Sequence, residues 1–137
     1  MGSTPSGVPH HRELAFEPGD GGACRAGLAC IRQALTDWQL TAVAGDTLLV
    51  ASELLSNAVK HAGGPVQMSV DHTAGLLRIA VTDHSPVPPR QGRHRPESIG
   101  GHGIFLVDHL AHRWGTLPHG TGKTVWADLP LPPRQGA

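Results

Sequence analysis

The sequence of 137 residues contains no tyrosine, only two cysteines and little charge. Cys24 and Cys30 cannot form a disulfide framework, and their six-residue spacing matches no common metal-binding pair. Charged residues make up 16% of the chain, below the roughly 25% of an average soluble protein. These absences exclude a small disulfide-rich scaffold and indicate a reducing, cytoplasmic compartment.

An excess of one charge sign is also absent, because eleven basic side chains balance eleven acidic ones. A protein that binds nucleic acid by neutralising phosphates normally carries a basic excess, so direct nucleic-acid binding is not expected. No apolar run reaches the roughly 18 residues of a membrane span, and the N-terminus lacks a basic-then-apolar signal. The sequence therefore predicts neither a membrane protein nor a secreted one.

Histidine, glycine and proline are abundant, with ten, 18 and 12 copies respectively. The histidines are scattered, and the closest helical pair, His109 and His112, lacks an obvious third ligand, so no zinc site is predicted. Glycine and proline cluster at residues 1–9, 84–103 and 115–136. We expect a flexible N-terminus at 1–10, one domain over 11–131 and a flexible tail at 132–137.

Hydrophobic periodicity predicts five strands and three helices. Strands are expected at 13–16, 66–70, 77–81, 113–117 and 121–129, with a turn at 72–75, and helices at 20–38, at 46–62 and after the glycines at 100–103. Asp20 is the expected N-cap of the first helix, and the glycines at 63–64 end the second. The first helix carries the apolar stripe Cys24, Leu28, Ile31, Leu35 and Trp38, and the third directs Ile104, Val107, Leu110 and Ala111 inward. Residues 84–99 contain four prolines and predict a loop. This order indicates an α+β fold, a two-layer sandwich with helices packed on one face of a mainly antiparallel sheet.

The second predicted helix carries a polar group opposite its apolar side. The apolar arc comprises Leu48, Ala51, Leu55, Ala58, Val59 and Ala62, and the polar arc comprises Glu53, Asn57, Lys60 and His61. A solvated helix face is one interpretation. The other is a metal–phosphate site, because an amide oxygen can ligate Mg²⁺, a carboxylate can take a proton and a cation can meet phosphate. Val50 and Leu54 flank the polar group and favour the second interpretation.

Asp83 continues the alternation of Leu77, Ile79 and Val81, which directs its carboxylate to the apolar side of the sheet. An unpaired carboxylate there would cost several kcal/mol, so it needs hydrogen-bond donors. The exocyclic amine of adenine would supply one. A cap on the following turn, at 84–86, is the alternative.

Two glycine-containing segments could bind phosphate. Gly101, His102 and Gly103 precede a helix, where free N–H groups and the helix dipole favour an anion, and a flexible loop that ends at a helix is the alternative. The segment 120–124 resembles the end of a P-loop, but Leu117 stands where that motif requires glycine. Residues 125–129 alternate as a strand rather than a helix, so a P-loop is rejected.

The order of these segments resembles the GHKL ATP-binding superfamily of gyrase, histidine kinases and MutL-type repair proteins. The resemblance rests on the run from Glu53 to Ala62, Asp83 after a hairpin, Gly101-x-Gly103 before a helix, and a Gly-Lys-Thr-Val strand. It covers roughly residues 10–131. The short length is most similar to the anti-sigma-factor serine/threonine kinase branch.

The resemblance implies ATP and Mg²⁺ as cofactors and assigns a role to each matching residue. Asn57 is expected to ligate Mg²⁺, Glu53 to act as general base, and Asp83 to bind the adenine amine, while the glycine box meets the phosphates. The predicted nucleotide-binding set is Asn57, Lys60, His61, Asp83, Gly101, His102, Gly103 and Thr124. An ATP lid is expected at about 84–100. One of Arg90, Arg93 and Arg95 is expected to meet the γ-phosphate or an acidic partner when the lid closes, and a solvated basic loop is the alternative.

The sequence departs from the family pattern at two places. Ser85 and Val87 replace the two glycines that often follow the adenine-binding aspartate. Lys123 stands where a hydroxyl residue usually follows the glycine of the last strand, and Thr124 comes one position later. The first departure affects the packing around adenine, and the second affects a water-mediated contact to the base.

The function that the resemblance implies is ATP-dependent phosphorylation of a serine or threonine on an anti-sigma-factor antagonist, in a bacterial cytoplasm. A sigma factor and a second copy of the chain are further candidate partners. The alternative is a non-catalytic, nucleotide-gated protein-interaction module. A free-standing histidine kinase is not expected, because no helix before the ATP module offers a suitably placed phospho-accepting histidine.

Overall fold

The computed structural model describes residues 10–19, 21–87 and 107–132. The strands are β1 His10–Ala15, β2 Pro65–Thr73, β3 Leu76–Asp83, β4 Arg113–His119 and β5 Gly122–Pro130, and the helices are α1 Ala23–Asp37 and α2 Ala44–Ala62. Residues 107–110 are also helical. The five strands form one sheet in the order β1-β2-β3-β5-β4, and every neighbouring pair is antiparallel. Both helices pack on one face, which confirms the predicted α+β sandwich.

Helix α1 lies close against α2 because its buried face carries small residues. Ile31 and Leu35 are buried as predicted, but the rest of the buried face is formed by Ala23, Gly27 and Ala34. A Cβ atom on Gly27 would lie 2.8 Å from Cδ1 of Leu55 in α2, so this glycine allows the close approach.

The start and the outer positions of α1 differ from the prediction. The helix begins at Ala23 with Gly22 as its N-cap, and the predicted cap, Asp20, lies outside the described residues. The other predicted stripe residues, Cys24, Leu28 and Trp38, are only half-buried. The predicted stripe therefore has the correct helical period, but it is rotated about the helix axis relative to the face that is buried.

The buried face of α2 is rotated in the same way. Val59, predicted as core, is 49% exposed, whereas Val50 and Leu54 are almost completely buried. Spacing gives the period of a helix, but the position of the sheet and of α1 decides which arc is covered. Since the covered arc lies nearer the polar group than predicted, Glu53 and Asn57 are half-buried on its flank.

The described residues include one segment, Thr41–Ala62, that is long and apolar enough to cross a membrane by length and composition alone. In the fold this segment contains α2, whose apolar face packs against α1 and the sheet. A core helix has the same composition, so its place in the core accounts for its hydropathy.

Two turns have the backbone geometry that the sequence indicates. Helix α2 ends at the predicted glycine, and Gly63 adopts the left-handed conformation at φ 74°. The β2–β3 hairpin turns at Ala74 and Gly75, both with positive φ, as a two-residue hairpin turn requires. This turn fixes the register that places Leu77, Ile79 and Val81 in the core.

On the sheet face away from the helices, Asp128 forms the centre of a charged cluster. Its carboxylate is nearly inaccessible and accepts hydrogen bonds from Nε of Arg78 at 2.6 Å and Nη2 of Arg78 at 2.9 Å. The Arg78 guanidinium also lies 4.2 Å from the centroid of the Trp126 ring. The hydrogen bonds from Arg78 lower the pKa of Asp128 below its usual 3.8, against the opposing effect of burial.

Replacing Asp128 by asparagine should therefore lower the free energy of unfolding at pH 7 by about 1–3 kcal/mol. Because the pKa of Asp128 is depressed in the folded state, this contribution is present above the unfolded value of 3.8 and is lost as the pH falls through the folded value. Urea unfolding at pH 7 and pH 3 measures the difference. Glu17→Gln, which removes an exposed carboxylate, is the control. An Asp128→Asn deficit that is undiminished at pH 3 would contradict the ion-pair explanation.

Candidate functional site

The end of α2, the end of β3 and the start of β5 meet at one end of the sheet. Only Gly63 and Gly64 join Ala62 to Pro65, and Pro65 lies opposite Asp83 in the β2–β3 register. Asp83 in turn lies opposite Lys123 at the start of β5. The topology therefore brings the last turn of α2 to the same end of the sheet as Asp83.

Asp83 points into the helix-covered side of the sheet, as its alternation predicts, and the residue is 3% exposed. Its Oδ1 accepts a hydrogen bond from the Ser85 backbone N–H at 2.8 Å and another from Nζ of Lys123 at 3.0 Å. The predicted turn cap is therefore present, together with a lysine that the prediction missed. Oδ2 has no donor within the described ranges 10–19, 21–87 and 107–132.

Lys123 is buried beside Asp83, with 4% of the residue exposed. Its ammonium also donates to the Ser85 carbonyl oxygen at 3.1 Å, so one side chain connects β5 to the carboxylate and to the turn after β3. A buried ammonium and a buried carboxylate are each costly alone and compensate one another when hydrogen-bonded. The signal for Lys123 was available in the sequence, because it shares the alternation of Val125 and Ala127, which are buried.

Gly122 permits β5 to begin against the end of β3. A Cβ atom built on Gly122 would lie 1.9 Å from the Asp83 carbonyl oxygen and 2.8 Å from Cα of His84. No side chain fits in that space without moving the backbone. The glycine before Lys123 is therefore a steric requirement of the Asp83–Lys123 contact.

Thr124 lies on the opposite face of the sheet from Asp83. Strand alternation reverses its direction relative to Lys123, and its hydroxyl forms a hydrogen bond with that of Thr82, with 2.7 Å between the oxygens. The structure does not bring this predicted nucleotide-binding residue to the Asp83 site. Lys123 occupies the corresponding position on the helix-covered face.

Glu53 and Asn57 project from the flank of α2, one turn apart, about 6 Å along the helix axis. Both are half-buried, and no side-chain hydrogen bond joins either to another residue in the described part of the chain. An amide oxygen and a nearby carboxylate suit Mg²⁺, which prefers hard oxygen ligands and retains phosphate oxygens or water in its remaining positions. The two side chains therefore fit a metal held mainly by a polyphosphate.

Lys60 and His61 lie in the last turn of α2 and are exposed. Their position at the C-terminal end of the helix places them at the same end of the sheet as Asp83. Within the described ranges, no group of three or more histidine, cysteine, aspartate or glutamate side chains could hold a metal ion.

The predicted glycine box, Gly101, His102 and Gly103, lies outside the described residues, as do Arg90, Arg93 and Arg95. Their predicted roles remain predictions. Of the expected lid, the structure describes residues 84–87, where the Ser85 hydroxyl accepts a hydrogen bond from the Val87 N–H at 3.2 Å. Further on, Val107 is helical and fully buried, as the inward face of the third predicted helix requires.

Comparison with known proteins identifies a family. The profile of the histidine kinase-like ATPase domain family matches residues 21–128, which run from the start of α1 into β5. A search of curated proteins finds no match.

Among solved structures, the fold is similar to the crystal structure of the RsbU and RsbW domains of Rv1364c from Mycobacterium tuberculosis. The TM-score is 0.59 and the sequence identity 19%, over 90% of this chain and 32% of that one. The chain therefore spans about a third of the length of that protein, and at this identity the similarity is one of fold.

The steric requirement at Gly122 leads to a direct test. Gly122→Ala should destabilise the protein by about 3 kcal/mol or more, because a backbone oxygen rather than a flexible side chain blocks the new methyl group. Thermal unfolding measures this loss, and amide chemical shifts of Asp83 and Ser85 should change with it. Gly45→Ala is the matched control, since a Cβ atom there meets nothing within 4 Å. Equal melting temperatures for the two variants would disprove the close approach.

Proposed function

The chain belongs to the histidine kinase-like ATPase domain family, and on that premise we propose that it uses Mg-ATP to phosphorylate a serine or threonine of a partner protein. Membership of the family implies ATP binding. The observation that carries the proposal is the buried Asp83 carboxylate, held at Oδ1 while Oδ2 lacks a donor among the described residues. An oriented acceptor at the end of a sheet suits the amine of an adenine base.

The charge of Asp83 supports adenine rather than guanine as the base. Lys123 donates to Asp83, and a carboxylate paired with an ammonium group only accepts hydrogen bonds. Adenine presents an amino group at C6, whereas guanine presents a keto oxygen there that would be repelled. A site built around a hydrogen bond to one base rejects an analogue that leaves its buried acceptor unpaired.

The flank of α2 is the proposed position of the metal and the phosphates. Asn57 would ligate Mg²⁺ through its amide oxygen, and Lys60 and His61 would face phosphate oxygens at the end of the helix. When bound, Mg²⁺ would neutralise charge on the phosphate oxygens. The half-burial of Asn57 and the absence of a described hydrogen-bond partner for its amide support this assignment.

Glu53 is the proposed general base. Its carboxylate lies one helical turn before Asn57, so it would stand beside the metal-bound phosphates without ligating the metal itself. The partner's hydroxyl oxygen would form a bond to the γ-phosphorus, and the bond from that phosphorus to the bridging oxygen of ADP would break. The hydroxyl proton would pass to Glu53, leaving ADP and the phosphorylated partner as products.

We further propose that the partner is an anti-sigma-factor antagonist in a bacterial cytoplasm and that the chain also binds a sigma factor. This part rests on the sequence resemblance to the anti-sigma-factor kinase branch. The similarity of the fold to a structure that contains an RsbW domain supports it.

The adenine assignment is tested by Asp83→Asn. The variant should lose at least about tenfold in ATP affinity, because a hydrogen bond to a charged acceptor is lost. Wild-type protein should bind ATP more tightly than GTP, and the variant should largely lose this preference. Calorimetric titration measures both ratios, and Asp71→Asn on the outer face of β2 is the control. If wild-type protein bound GTP as tightly as ATP, the proposed role of Asp83 would be incorrect.

Substitutions of Glu53 and Asn57 should affect catalysis and nucleotide binding differently. Glu53→Ala should bind Mg-ATP nearly as well as wild type, yet transfer phosphate to the partner about 10²–10⁴ times more slowly. Asn57→Ala should instead weaken the binding of ATP only when Mg²⁺ is present. Transfer is measured with γ-labelled ATP and candidate antagonist proteins, and binding by titration with and without Mg²⁺.

Ser56→Ala, a half-buried substitution on the same helix, is the control for both variants. Full transfer by Glu53→Ala to a confirmed partner would remove Glu53 from the role of base. If wild-type protein bound ATP but phosphorylated no candidate, a nucleotide-gated interaction module would become the better description.

A further inference from the structure

The ammonium group of Lys123 uses two of its three hydrogen-bond donors within the described part of the chain. It carries three N–H donors, of which one meets Oδ1 of Asp83 at 3.0 Å and one meets the Ser85 carbonyl oxygen at 3.1 Å. The third has no acceptor within the described ranges, although only 5% of the side chain is exposed. A buried cation with an unused donor favours a ligand that brings an acceptor.

The neighbouring carboxylate has the opposite property. Two donors occupy Oδ1 of Asp83, whereas Oδ2 has none among the residues that the structure describes. An ionised carboxylate offers about four acceptor positions, so Oδ2 retains its capacity. A donor and an acceptor therefore stand side by side in a largely buried position.

The edge of adenine that carries N6 and N1 has the complementary arrangement. The amino group at C6 donates, and the ring nitrogen N1 beside it accepts. Guanine reverses both groups, because O6 accepts and N1–H donates. A site with one acceptor and one adjacent donor thus distinguishes the two bases at two positions rather than one.

We infer that Lys123 contacts the base directly, donating a hydrogen bond to N1 of adenine while Asp83 accepts one from the amine. The inference rests on the proposed nucleotide-binding function and adds a second specificity-determining residue to it. Lys123 stands directly after Gly122, where the resemblance leads one to expect a shorter hydroxyl residue. Its longer side chain reaches Asp83 from β5, whereas the hydroxyl of Thr124 lies on the other face of the sheet.

Two other roles for Lys123 are chemically distinct. A lysine that only holds Asp83 in place would strengthen binding of every base that carries the amine, whatever atom stands at position 1. A lysine that competes with the base for Asp83 would weaken nucleotide binding. The affinities of nucleotides that differ only at position 1 of the base distinguish these roles.

The test is a calorimetric titration with ADP, with 1-deaza-ADP, in which a C–H group replaces N1, and with purine riboside diphosphate, which lacks the amine. Wild-type protein should bind 1-deaza-ADP about 10- to 100-fold more weakly than ADP. Lys123→Met should bind these two ligands within about twofold of each other. Both proteins should still prefer ADP to purine riboside diphosphate, because Asp83 is retained.

The comparison of ligands on wild-type protein requires no variant, so the test survives if Lys123→Met fails to fold. Arg32→Met, which removes an exposed cation from α1, is the control for overall charge and should retain the full preference for ADP. Equal wild-type affinity for ADP and 1-deaza-ADP would overturn the inference. A full preference in Lys123→Met, or tighter ADP binding by that variant, would overturn it as well.

Failure of the proposed function has a different signature. In that case wild-type protein would bind none of the adenine diphosphates. If only the role of Lys123 is wrong, ADP still binds and the sensitivity to N1 is missing. The two failures are therefore distinguished by the ADP titration alone.

Discussion

A carboxylate and an ammonium group buried together constrain the end of the sheet where β3 finishes and β5 begins. Asp83 could not be buried there unpaired, and Lys123 supplies the opposite charge from the adjacent strand. The contact requires β5 to pass so close to β3 that only glycine fits at position 122. It also fixes the turn after β3, because the N–H and C=O of Ser85 bond to the two members of the pair.

The chemistry of the site follows from what this arrangement leaves available. Among the described residues, Asp83 and Lys123 leave one acceptor and one donor unused, which is complementary to the N6 and N1 edge of adenine. The short connection from α2 through Gly63 and Gly64 to Pro65 brings the last turn of α2 to the same end, and Glu53 and Asn57 lie further back along the same helix. A nucleotide with its base at the ion pair and its phosphates along α2 would use both sets of residues. The family match, which spans α1 to β5, agrees with such a ligand.

Sequence periodicity predicted those features that depend on local geometry. The alternation from Leu77 to Asp83 was correct because a strand in a two-layer sandwich has one buried face, and the end of α2 was correct because Gly63 adopts a conformation that suits glycine. The predicted core residue Val59 was wrong, since the covered arc of a helix depends on its neighbours and not on its own spacing.

The site itself was only partly predictable. Periodicity placed Asp83 on the inner face of the sheet and Glu53 and Asn57 on the polar side of α2, while their functional roles came from the resemblance of ordered motifs and remain predictions. Lys123 was missed because a lysine is normally solvated, although its alternation with Val125 placed it inward. Thr124 was selected by residue type, and strand alternation directs it to the other face. An ion pair between residues 40 positions apart depends on strand register, which sequence spacing does not supply.

In the proposed function, one nucleotide engages both the ion pair on the sheet and the flank of α2 that carries Glu53 and Asn57. A titration of the wild-type chain with ADP, performed once with Mg²⁺ and once with a chelator, tests it most directly. We expect saturable binding of one ADP per chain that is clearly tighter with Mg²⁺. Absence of ADP binding, or binding that is indifferent to Mg²⁺, would contradict it.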